Sequence, residues 1–167
     1  MTSPRAIIAA TLIVVATVAV VVSQVIPSAQ ETDPLLGTWK LNLAKSKYEP
    51  GPGPTAAMRT TVDRGGGVFL TTQAGTDPQG HAAFLQVAFK FDGEDYPMVI
   101  KDSPVINTIS LKRADRYSFY FTLKADGNAV ATVGAAIAKD GKSYTEQAKG
   151  TNPQGKPVNN IQVWEKQ

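Results

Sequence analysis

From Gly37 onward the chain alternates apolar and polar residues with a period of two. In Gly37-Thr38-Trp39-Lys40-Leu41-Asn42-Leu43, Trp39, Leu41 and Leu43 share one face and Thr38, Lys40 and Asn42 the other. That pattern predicts a half-buried strand. The alternation is clearest over residues 116–124. Tyr117, Phe119, Phe121 and Leu123 fall on one side; Arg116, Ser118, Tyr120, Thr122 and Lys124 fall on the other. Burying such side chains stabilises by roughly 1.5–3 kcal/mol each, and a slip of one residue would expose the whole set. Residues 81–91 repeat the pattern, with Ala83, Leu85, Val87, Phe89 and Phe91 aligned and Gln86 and Lys90 opposed. Weaker strands are predicted over 57–64, 68–74 (Val68, Leu70 and Thr72 on one face), 107–113, 128–139, 142–149 and 158–166. Val99 and Ile100 support only a short one.

Turn chemistry separates these stretches. Gly65-Gly66-Gly67 accepts positive φ at low cost, Asp77-Pro78-Gln79-Gly80 places Pro early and Gly late, and Asp92-Gly93, Asp126-Gly127 and Asp140-Gly141 read as hairpin turns. Pro50-Gly51-Pro52-Gly53-Pro54 cannot join a helix or a central strand and predicts a stiff connector over a barrel end. One turn recurs: Gly75-Thr76-Asp77-Pro78-Gln79-Gly80 returns as Gly150-Thr151-Asn152-Pro153-Gln154-Gly155, and in the same frame Phe69 matches Tyr144 and Phe89 matches Trp164. A good hairpin turn used twice accounts for this more simply than a duplicated binding loop.

The expected fold is all-β: about eight antiparallel strands joined by short turns in an up-and-down barrel, with a sandwich as the alternative. Closure favours the barrel because it removes exposed edges. Ahead of it, residues 6–22 are apolar except for Thr11 and Thr17, and Arg5 precedes them. This is a secretory signal pattern, long enough to serve instead as an uncleaved anchor. Ser23 and Ala29 are candidate cleavage points. The expected division is 1–30 as signal peptide or membrane anchor with spacer, and 35–167 as the barrel. Either form exports the domain, to the periplasm or the exterior, or holds it outside the cytoplasm on the membrane. Contact with a membrane is expected only through that segment.

Composition narrows the chemistry. The 167 residues are 43% hydrophobic and 19% charged, enough for a core and unlike a disordered chain. A net charge of +3, spread over many strands, is a weak field, and no nucleic-acid partner is expected. The absence of cysteine removes disulfides, thiolate nucleophiles, cysteine metal sites and a lipidated N-terminal cysteine.

Gly37-Thr38-Trp39 at the head of the first strand resembles the Gly-x-Trp signature of lipocalins and related calycin barrels. Lys45-Ser46-Lys47-Tyr48, the Pro/Gly run, Asp92-Gly93 with Tyr96-Pro97, Leu111-Lys112-Arg113, the Asp-Gly hairpins and the closing Trp164-Glu165-Lys166 resemble exported bacterial lipocalin-like proteins of unassigned function. The resemblance spans 35–167. It implies a barrel whose floor is formed by Gly37 and Trp39, with a basic residue over the Trp; Lys166 and Lys149 are the candidates. The loop motifs, C-terminal helix and disulfides of typical lipocalins are not in the chain.

Leu85, Val87, Phe89, Tyr117, Phe119 and Phe121 are the candidate interior residues for a small apolar or amphipathic ligand. A filled structural or interaction barrel is the second reading. An enzyme is third, since paired catalytic carboxylates, a nucleophile elbow and a phosphate loop are all missing. No cofactor or metal is implied. His81 sits at a turn, and Asp92, Glu94, Asp95 and Asp102 lack the spacing of a calcium loop.

Overall fold

A computed structural model describes residues 32–101, 106–151 and 155–167. The expected signal or anchor segment, Asp102 and Asn152-Pro153-Gln154 lie outside the described residues. The strands are β1 (Gly37–Leu41), β2 (Ala56–Asp63), β3 (Phe69–Thr76), β4 (Ala82–Phe89), β5 (Asp92–Ile100), β6 (Thr108–Asp115), β7 (Ser118–Ala125), β8 (Asn128–Ile137), β9 (Ser143–Thr151) and β10 (Pro157–Lys166). Each pairs antiparallel with the next, and β1 pairs with β10 to close the barrel.

The barrel therefore has ten strands, not about eight. The expectation fell short most clearly at β5. Asp92, Glu94, Asp95 and Pro97 hide its alternation, yet it runs nine residues and buries Met98 between β4 and β6. A second correction concerns β3. Val68, Leu70 and Thr72 share a face, but the buried face carries Thr71 and, with it, Phe69 and Gln73. The register follows Phe69, which sits opposite Phe89 with the rings stacked at 5.8 Å.

β1 is only five residues long. Beyond Leu41 the chain makes a turn, and β10 then pairs with Lys47 and Glu49 instead: Ile161 exchanges backbone bonds with Lys47, and Asn159 donates to Glu49. Ser46 Oγ accepts from the Val163 amide, and Glu165 receives Asn42 Nδ2 at 2.8 Å and Lys45 Nζ at 2.9 Å. The Pro/Gly run then leads to Thr55, whose amide bonds the Thr76 carbonyl.

One end of the barrel is packed shut. Trp39 is fully buried, donates its indole N–H to the Leu35 carbonyl at 2.9 Å, and meets Tyr144 edge-on at 4.8 Å. Lys166 Nζ lies 4.9 Å from the Trp39 ring centre, while Lys149 makes no such contact. Gly37 has φ +121°, and a Cβ there would come within 2.9 Å of Lys166 Cε. Beside this floor Phe69, Phe89, Phe91 and Phe119 form edge and stacked pairs. Arg113 lies 4.0 Å over Phe91 and bonds Asp33 at 2.8 Å, tying residues 32–36 across the end.

Candidate functional site

Inside the barrel is a cavity of about 430 Å³, within the range of small-molecule sites. Its lining divides by strand. The wall from β4 to β8 presents Leu85, Val87, Phe89, Met98, Ile109, Leu111, Phe119, Phe121, Leu123, Val130, Ala131 and Val133, all apolar. The wall from β9 through β10 to β3 presents Tyr144, Glu146, Thr151, Asn160, Gln162, Arg59, Thr61, Thr71 and Gln73, with Ala148 and Val158 among them. These strands are neighbours across the β1–β10 seam. One half of the circumference is thus hydrocarbon, and the other carries the polar groups.

Arg59 organises the polar wall. It enters from the middle of β2 in the period-two frame of Ala57 and Thr61, both buried. Its Nε and Nη2 donate to Gln73 Oε1 at 2.9 and 2.7 Å. Its Nη1 donates to Glu146 Oε1 at 2.5 Å and to the Tyr144 hydroxyl. Its guanidinium lies 4.1 Å from the Trp164 ring centre, a favourable cation–π placement when desolvated. Trp164 in turn donates its indole N–H to Glu146 Oε2 at 3.3 Å and stacks on Tyr144 at 6.0 Å. Nearby, the Thr61 and Thr71 hydroxyls share a hydrogen bond of 2.8 Å.

A charge buried this deeply persists only when paired and hydrogen-bonded. Burial alone would lower the Arg59 pKa; Glu146 and Tyr144 beside it more than reverse this and hold it above its ordinary value. Burial pushes the Tyr144 phenol well above its usual range, against the opposing pull of Arg59. The guanidinium therefore stays charged and Tyr144 stays protonated across the ordinary pH range.

Five of the six residues expected on the interior line this cavity: Leu85, Val87, Phe89, Phe119 and Phe121. Tyr117 does not. It lies on the turn before β7, where its amide bonds Asp115 Oδ1 at 2.7 Å and Lys139 Nζ lies 4.2 Å from its ring centre. It packs against the core from the shut end. His81 is largely exposed at its turn, with Nδ1 at 3.1 Å from Asp77 Oδ2. Asp92 accepts from the Tyr96 hydroxyl, and Asp95 pairs with Lys124. Among the described residues no three His, Asp or Glu side chains come together as a metal site.

The polar wall went unpredicted. Its signal was parity: Arg59 shares a face with Ala57, and Glu146 shares one with Tyr144 and Ala148. Parity places each charge in the apolar frame of its strand but does not name its partner. No family model matches the chain, and no curated protein matches it.

Proposed function

We propose that this chain is an exported, lipocalin-like binding barrel that holds a small amphipathic ligand in its lumen. The observation that carries this reading is the 430 Å³ space with its apolar half and polar half. A filled structural barrel, the competing reading, would close that space with side chains. The Gly37-x-Trp39 start, the basic Lys166 over the indole and the closed antiparallel meander are compatible with a calycin-type barrel. Lipocalins close with eight strands, so the ten here set a different circumference. Arg59, Gln73, Tyr144 and Glu146 are hydrogen-bonded together, Thr61 bonds Thr71, and Asn160 Oδ1 accepts from the Glu49 amide, all as wall and orienting contacts. They form no nucleophile–base pair, which favours a carrier over an enzyme.

Native mass spectrometry of the full chain purified from a bacterial envelope, with solvent extraction in parallel, tests this. A co-purifying molecule, or stoichiometric uptake of the neutral fluorophore phenyl-naphthylamine, is the expected result. A clean apo mass with no fluorophore uptake would remove the carrier reading in favour of the filled barrel.

A further inference from the structure

The charges on the polar wall limit which amphiphiles the lumen accepts. Among the described residues that line the cavity, Arg59 and Glu146 are the charged ones, and they are paired at 2.5 Å. Both Glu146 oxygens are engaged, one by Arg59 and the other by the Trp164 indole. Arg59 spends four hydrogen bonds on Gln73, Tyr144 and Glu146, out of the five N–H groups a guanidinium offers. The remaining polar side chains that line the wall are the carboxamides of Gln73, Asn160 and Gln162 and the hydroxyls of Thr61, Thr71, Tyr144 and Thr151. All are neutral.

From this we infer that the lumen selects an uncharged amphiphile, such as an alcohol, ester or amide, and discriminates against fatty carboxylates and alkylammonium ions. This rests on the lumen-binding reading above. A carboxylate brought beside Arg59 would find the cation already neutralised and nearly all its donors used. It would add a net negative charge to a poorly solvated space, which is strongly unfavourable without a partner. An ammonium fails equally, because Arg59 already neutralises the Glu146 charge and the ion would add a net positive charge to the same space. A hydroxyl or amide head instead exchanges hydrogen bonds with carboxamides and hydroxyls at no charge cost.

The test is displacement of phenyl-naphthylamine by dodecanol, dodecanoate and dodecylammonium at mildly alkaline pH, where the last two are ionised. Affinities are normalised to each compound's octanol–water partition, so that bulk hydrophobicity cancels. In the wild-type chain dodecanol should bind at least about tenfold better than either ion on that scale. Glu146→Gln leaves Arg59 without its countercharge, and the dodecanoate-to-dodecanol ratio should then rise by at least about tenfold. The double variant Arg59→Gln/Glu146→Gln, with no buried charge left, should return to the neutral preference. Dodecanoate binding as well as dodecanol in the wild type would overturn the selectivity and leave the lumen reading intact. Uptake of none of the three compounds would overturn both. Should Glu146→Gln fail to fold, the wild-type ratio alone decides.

Discussion

Arg59 and Glu146 form a pair whose two halves are each unfavourable without the other. Removing one partner of a buried ion pair typically costs about 3–5 kcal/mol, whereas replacing both with apolar residues is often neutral or stabilising. Glu146→Ala should therefore lower the unfolding free energy by roughly that amount in urea titrations, and Arg59→Met/Glu146→Leu should recover most of it. A double variant as unstable as the single one would show that the pair does more than neutralise itself. Tyr144 adds a pH signature. Its folded pKa lies above its ordinary value, while the unfolded chain gives up that proton near pH ~10. Below this pH both states hold the proton and the stabilisation is complete. Above it the unfolded state binds fewer protons, so stability falls as pH rises, by up to ~1.4 kcal/mol per pH unit from this group. Tyr144→Phe should flatten that part of the stability profile in parallel titrations; an unchanged slope would mean that Tyr144 ionises in the folded state. None of this was legible in Arg59 or Glu146 taken singly, because a lone charge in a strand reads as a solvated position. It became legible once Arg59, Tyr144, Glu146 and Gln73 were brought together from three strands.

Among the strands, β7 was the easiest to read, because Phe119, Phe121 and Leu123 alternate without interruption. Tyr117 misled because it keeps the same parity while sitting on the turn, where the Asp115 side chain caps its amide and Ser118 starts the strand. β5 was hidden for the opposite reason: its exposed face is acidic and includes a proline, which masks Tyr96, Met98 and Ile100. The recurring turn has a structural counterpart in its glycines. Gly75 lies opposite Ala57 in β2, and Gly150 opposite Ala131 in β8. A Cβ at Gly75 would approach the Ala56 carbonyl oxygen to 2.2 Å, and one at Gly150 the Val130 carbonyl oxygen to 2.2 Å. The repeated aromatics match too, since Tyr144 stacks on Trp164 as Phe69 stacks on Phe89. Close backbone approach, more than turn geometry, thus fixes glycine at both places. Gly75→Ala and Gly150→Ala should each destabilise by about 1–3 kcal/mol. Gly134→Ala, where a Cβ meets nothing within 4 Å, should be neutral or stabilise by up to about 1 kcal/mol. Thermal unfolding of the three variants side by side separates a steric cause from a general cost of altering strand glycines. Equal losses at all three positions would exclude the steric one.

At the scale of the whole barrel, the aromatic floor and the lumen are two consequences of one arrangement. Trp39, Trp164, Phe69, Phe89, Phe91 and Phe119 fill the end where residues 32–36 cross. Above them, small side chains such as Ala131 and Ala148 keep the interior wide. The barrel class and the apolar half of the lining were readable from period-two alternation. The strand number was not, because circumference depends on how many weakly patterned segments pair. The polar half was not, because it exists only after closure places β2 and β3 beside β9 and β10. The most direct measurement is phenyl-naphthylamine uptake by the wild-type chain alongside Val133→Trp, which places an indole in the lumen. A ligand-binding barrel predicts saturable uptake of one fluorophore per chain by the wild type. It also predicts uptake reduced at least about tenfold in the variant, with an unchanged β-sheet circular dichroism spectrum. No saturable uptake by the wild type, or equal uptake by both, would contradict a lumen that binds ligand.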